Sequence, residues 1–138
     1  MTDTIAMKME LPKVPDIELV ALNGLSLLAK HLGIADEKIG EARILVTEAI
    51  INALEHGGME HPRVQVEFTM TSRDLTIFVR DYGKGFVPSE VEVPDIRTKI
   101  GSKNKRGWGL KLMRTMSDDF RIDSTPDGTK ITIKKKLV

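Results

Sequence analysis

Glu48, Asn52 and His56 recur at intervals of four, a spacing that on a helix stacks them along one stripe, successive members about 40° apart around the axis. Glu41 and Glu55 fall on the same stripe. An Asn carbonyl oxygen is a neutral, hard ligand suited to Mg2+, which takes one or two protein oxygens and completes its shell with phosphates and water. A Glu one turn earlier could reach a hydroxyl or water beside that ion. The same spacing also describes the solvated face of an amphipathic helix.

Two glycine-bearing stretches follow. In Asp81-Tyr82-Gly83-Lys84-Gly85-Phe86 the carboxylate can accept a hydrogen bond from an exocyclic amine such as that of adenine, and the glycines let backbone approach a flat ring or phosphates. Read structurally, the stretch is a tight turn. Gly107-Trp108-Gly109-Leu110 comes directly after a basic cluster, Lys99, Lys103, Lys105 and Arg106. A helix starting there would aim unpaired N–H groups and its dipole at an anion; the alternative is a loop-to-helix junction carrying solvated charges. No Gly-x-x-x-x-Gly-Lys-Ser/Thr occurs in the chain, so this is not a Walker P-loop, and the spacing does not fit a dinucleotide fingerprint.

The elements that would hold these residues are legible from periodicity. Ile5, Met7, Met9 and Leu11 alternate with more polar neighbours as in a half-buried strand, and Pro12 and Pro15 break the chain. Asp16 to Leu32 reads as a helix stopped at Gly33, and Asp36 to about His56 as a second, its apolar face built from Ala42, Leu45, Val46, Ala49, Ile50 and Ala53. Val64 to Met70 and Leu75 to Val79 alternate around Thr71-Ser72-Arg73-Asp74 and predict a hairpin that delivers the chain to Asp81. Residues 82 to 106 read as a long loop. A third helix is expected over Leu110 to Met116, then strands over Phe120 to Ser124 and Thr129 to Leu137, the last placing Lys134-Lys135-Lys136 on a terminal edge strand. The fold class is therefore α+β: a two-layer sandwich with about three helices on one face of a mostly antiparallel sheet, the other face solvated or available to a partner.

The 138 residues suit one domain. With 21 Lys+Arg against 20 Asp+Glu the net charge is +1, leaving no global field that argues for nucleic acid or a membrane surface. The lysine run near the C-terminus has no aromatic platform for bases and is better explained as a device against strand pairing. The absence of cysteine excludes disulfides, thiol nucleophiles and thiolate metal sites. No stretch approaches the roughly 20 apolar residues of a membrane span, and the expected location is cytoplasmic.

Taken in this order and at these intervals, the motifs resemble those of the GHKL superfamily of ATPases and kinases. Glu48 to His56 looks like its N box, Asp81 to Phe86 its first glycine box, Arg106 to Leu110 its second, and Gly128-Thr129 its third, short motif. Val46-Thr47-Glu48-Ala49 with Asn52-Ala53 and His56-Gly57, and Gly107-x-Gly109-Leu110-x-Leu112-Met113, are most similar to the bacterial anti-sigma-factor serine/threonine kinases. The resemblance spans nearly the whole chain. It implies a Bergerat ATP-binding fold forming a single histidine-kinase-like ATPase domain over 1–138, with an ATP lid at about 87–106. Glu48 would be the general base and Asn52 the Mg2+ ligand. Asp81 would bind the adenine amine, with Thr129 supporting that end. Gly83, Gly85, Gly107 and Gly109 would shape the nucleotide walls, beside His56, Lys103, Arg106 and Leu110.

The same resemblance implies ATP and Mg2+ as cofactors, a sigma factor held by the protein, a STAS-type anti-anti-sigma protein as phosphorylation substrate, and a homodimer without direct nucleic-acid contact. Two rivals share the fold: an ATP-gated partner-switching module that transfers nothing, and a stand-alone histidine-kinase-type ATPase domain. The second would need a helix pair carrying a phosphoacceptor His, for which the 138 residues leave no room.

Overall fold

The computed structural model describes residues 4–56, 61–83 and 105–138. Strand β1 (Ile5–Pro12) is followed by helix α1 (Glu18–His31), a 3-10 turn (Asp36–Ile39) and helix α2 (Gly40–His56). Strands β2 (Arg63–Met70) and β3 (Asp74–Asp81), helix α3 (Lys105–Met116), and strands β4 (Asp119–Thr125) and β5 (Gly128–Lys136) complete the order. The five strands form one sheet in the order β1-β2-β3-β5-β4, every neighbouring pair antiparallel. This is the expected α+β two-layer fold.

Alternation along the strands decides which face is covered. Val64, Val66, Phe68 and Met70 on β2, Leu75, Ile77 and Val79 on β3, and Ile131 and Ile133 on β5 are buried. They meet Ala21, Leu25 and Ala29 of α1 and Ala42, Leu45, Val46, Ala49, Ile50 and Ala53 of α2 in a single core. The residues between them form the other face, where Gln65 donates to Glu67 at 3.0 Å and Lys8 lies 3.9 Å from Glu67. That face is therefore polar and charge-paired. In the β2–β3 turn, Thr71 Oγ1 accepts the Arg73 and Asp74 N–H groups, each at 3.1 Å, so the hydroxyl closes the hairpin.

Three boundaries differ from the sequence reading. α1 begins at Glu18 rather than Asp16, because Asp16 takes a left-handed φ of 65° that interrupts helical geometry and that Asp tolerates better than most residues. The segment after Asp36 opens with a 3-10 turn before α2. α3 begins at Lys105, so Gly107 and Gly109 lie inside the helix rather than ahead of it. Two glycines cost a helix about 2 kcal/mol of propensity, which hides its first turn from pattern reading; packing of α3 on α2 compensates. Of the expected lid, 87–104 lies outside the described residues, and 105–106 belong to α3.

The C-terminal lysines are also corrected. β5 lies between β3 and β4, so Lys134-Lys135-Lys136 are on an inner strand and β1 and β4 are the edges. Lys135 projects to the helical side, where its Nζ donates to Met116 O at 2.7 Å and to Glu41 Oε2 at 3.0 Å. A single ammonium thus ties the C-terminal end of α3 and the start of α2 to the sheet, favoured by the negative end of the helix dipole. Replacing Lys135 by Met should lower stability by about 1–2 kcal/mol, whereas Lys134→Met, at an exposed position, should stay within about 0.5 kcal/mol of the parent. Urea denaturation midpoints measure both.

Candidate functional site

Because one face of α2 is committed to the core, the position of its polar shoulder is determined. Asn52 is only 4% exposed, and its Oδ1 is buried without a hydrogen-bond partner among the described residues. A buried carbonyl oxygen left in this state costs on the order of 1–3 kcal/mol, a cost relieved by a donor or a cation. A neutral hard oxygen of this kind fits Mg2+. Among the described residues no three His, Asp or Glu side chains converge on a metal position. An ion held by Asn52 would therefore draw the rest of its shell from ligand phosphates and water.

One turn earlier on α2, Glu48 is half-buried. Burial raises its pKa above the ordinary 4.5, and the charge of Glu55 raises it further. Its carboxylate lies against α3: a Cβ placed on Gly109 would come 2.8 Å from Glu48 Oε2. Glu48 is therefore boxed between two helices and binds a proton more readily than an exposed glutamate does.

The second part of the site stands at the end of β3. Asp81 is 2% exposed, and its carboxylate accepts the Gly83 N–H at 3.0 Å. Burial pushes its pKa up, opposed by the backbone N–H groups of Gly83 and Thr129 and by the charge of Lys13. Thr129 is the β5 partner of Asp81 in the sheet, and its Oγ1 lies 2.8 Å from Ser124 Oγ. Gly128 immediately before it has φ 135°, and a Cβ there would overlap the Asp81 carbonyl oxygen. Only glycine meets both conditions. The Asp81 carboxylate is thus oriented by backbone amides while retaining acceptor capacity for a ligand donor.

The structure brings Asp81, Gly83, Gly128 and Thr129 together, and sets Glu48 beside Gly109. Leu110 is 5% exposed and packs in the core. His56 closes α2, and Arg106 and Gly107 lie in the first turn of α3. Gly85 and Lys103 lie outside the described residues.

Several neighbours of Asp81 carried no signal in the sequence. Tyr82 stacks on His61 with ring centroids 4.2 Å apart, and the Arg80 guanidinium sits 4.6 Å from its centroid. The Tyr82 hydroxyl donates to Gln65 Oε1 at 3.4 Å, anchoring the turn after Asp81 to β2. Tyr82 occupies a variable position of the glycine motif, and His61 and Gln65 are brought to it by the pairing of β2 with β3.

The chain matches the histidine kinase-like ATPase domain family over residues 16–135. The anti-sigma F factor of Clostridium novyi is 30% identical over 134 residues, 95% of this chain and 94% of that protein. The anti-sigma F factor of Bacillus subtilis is 31% identical over 104 residues, 73% of this chain and 71% of that protein. A solved structure of the RsbU and RsbW domains of a Mycobacterium tuberculosis protein shares the fold, with a TM-score of 0.69 at 16% identity, covering 95% of this chain and 32% of that one.

The raised pKa of Glu48 has a consequence for stability. On titration upward from acid, the unfolded chain releases this proton near the ordinary 4.5 while the folded chain still holds it. The folded state then binds more protons, so stability falls with rising pH until the folded pKa is passed. Glu48→Gln, which retains the shape without the charge, should be more stable than the parent at pH 8. The difference should vanish below about pH 4. Chemical denaturation of both proteins at the two pH values measures it.

Proposed function

This chain belongs to the histidine kinase-like ATPase domain family, and on that premise we propose that it binds Mg·ATP and acts as an anti-sigma factor with protein serine/threonine kinase activity. In this reading it transfers a phosphoryl group to a STAS-type anti-anti-sigma protein and sequesters a sigma factor. Support for the partners comes from the anti-sigma F factors similar to this chain. The observation that carries the nucleotide site is the buried Asn52 Oδ1, without a hydrogen-bond partner among the described residues, one turn beyond the half-buried Glu48 on the same helix.

Phosphoryl transfer passes through a loose transition state, so positioning and charge neutralisation dominate. Mg2+ would be held by Asn52 and would neutralise phosphate charge. Glu48 would accept the proton of the incoming serine or threonine hydroxyl, a role suited to a carboxylate whose proton affinity burial has raised. Asp81 would accept the adenine amine while its backbone hydrogen bonds hold it in one orientation. Gly83, Gly85 and Gly107 would shape the walls, and His56, Lys103 and Arg106 would face the nucleotide. Phosphorylating the partner adds charge at the interface and can break that complex, freeing the kinase to hold its sigma factor.

Assembly as a homodimer belongs to the same proposal. It is supported by the outer edge of β1, which among the described residues pairs with β2 alone, and by the exposed Leu19, Val20 and Leu27 on α1. A cytoplasmic location follows from a sigma-factor partner, and no described helix is long and apolar enough to cross a membrane.

Two substitutions test the reading. Asp81→Asn should abolish ATP binding measurable by calorimetry while the circular dichroism spectrum stays native; unchanged affinity would remove the adenine assignment. Glu48→Ala should slow phosphorylation of a STAS-type protein from the same genome by on the order of 10²–10⁴-fold. Transfer as fast as in the parent would remove the assignment of Glu48 as the base, whereas a parent that binds ATP and transfers nothing would favour the partner-switching module.

A further inference from the structure

Gly109 is buried in α3, against a half-buried carboxylate of α2. A Cβ at this position would lie 2.8 Å from Glu48 Oε2 and 3.9 Å from Glu48 Cδ. The first separation is shorter than carbon and oxygen tolerate, so a side chain here would force something to move. The nearest group is the far end of a flexible Glu, not backbone. Relief would therefore come from rotation of the carboxylate, with the helices left in place. Glycine is a poor helix former and alanine the best, so local propensity favours a side chain at 109. The geometry gives the opposing reason: the carboxylate fills the space that a methyl would take.

We propose that Gly109 is a positioning residue, whose missing side chain forms the slot that seats the Glu48 carboxylate against α3 and so fixes the direction in which that carboxylate faces. This rests on the assignment of Glu48 as the base that accepts the hydroxyl proton. It differs from a role in shaping the nucleotide wall, because the contact runs to a protein side chain and is present without ligand. The half-burial of Glu48 is consistent with it, since α3 covers one side of the carboxylate.

Four proteins decide the role of Gly109: the parent, Gly109→Ala, Glu48→Gln and the double variant. Each is measured for thermal midpoint, for ATP affinity by calorimetry, and for kcat and KM with a STAS-type anti-anti-sigma protein from the same genome as acceptor. Gly109→Ala should melt no lower than the parent and bind ATP within about twofold of it, while its kcat falls by on the order of tenfold or more through displacement of the base. In the Glu48→Gln background, where no base remains to be misplaced, adding Gly109→Ala should cause no further loss.

A Gly109→Ala protein with parental kcat, while Glu48→Gln is slow, overturns the positioning role and leaves the base assignment standing. Losses that multiply in the double variant overturn it as well, as does a large fall in melting temperature, which would mean that the backbone and not the carboxylate gave way. A Glu48→Gln protein as fast as the parent removes the base assignment, and the role of Gly109 with it.

Discussion

The apolar face of α2, made of Ala42, Leu45, Val46, Ala49, Ile50 and Ala53, is buried against the sheet in one rotational setting. That setting is held by the hydrophobic effect and by close packing, in which even small rotations open voids or force overlaps. The part of the site carried by α2 follows from it. The rotation that buries Ile50 and Ala53 carries Asn52 inside with an unpartnered oxygen, and leaves Glu48 half-covered where α3 crosses. Neither position is favourable for a polar group by itself. Core packing imposes both.

The molecule is organised along the length of its strands. At one end of β3, Leu75 pairs with Lys135, the Thr71 hydroxyl closes the hairpin, and Lys135 ties both helical segments to the sheet. At the other end, about 20 Å away by strand rise, stand Asp81 and Thr129 with their buried polar groups. The Lys135 and Thr71 contacts hold the first end together, and the buried carboxylate of Asp81 keeps acceptor capacity at the second. Such a division lets a fold carry local unfavourable electrostatics, because its stability is supplied elsewhere.

Two glycines at the site illustrate a shared constraint. Gly128 is required where β5 begins, since its backbone passes over the Asp81 carbonyl oxygen with a positive φ. Gly109 has no unusual backbone and lies within a helix, but leaves room for the Glu48 carboxylate. In the first case conformation and proximity both demand glycine. In the second, proximity alone does.

The sequence by itself was enough for the α+β class, for the alternation of β2 and β3, for the apolar face of α2 and for the family, because each depends on a local period or a short motif whose spacing is written along one element. Other features depended on which elements become neighbours. The inner position of β5, and with it the anchoring role of Lys135 in place of a guarding role at an edge, follows from strand order, which no single strand encodes. The start of α3 at Lys105 depends on support from α2 that outweighs two glycines. The stack of Tyr82 on His61 and the contact of Gly109 with Glu48 join residues far apart in the chain. Glu48, Asn52 and Asp81 could be picked out from residue type and spacing. Their burial, and the shift it produces in Glu48 and Asp81, were decided by tertiary packing, since desolvation is a property of the surroundings and not of the residue.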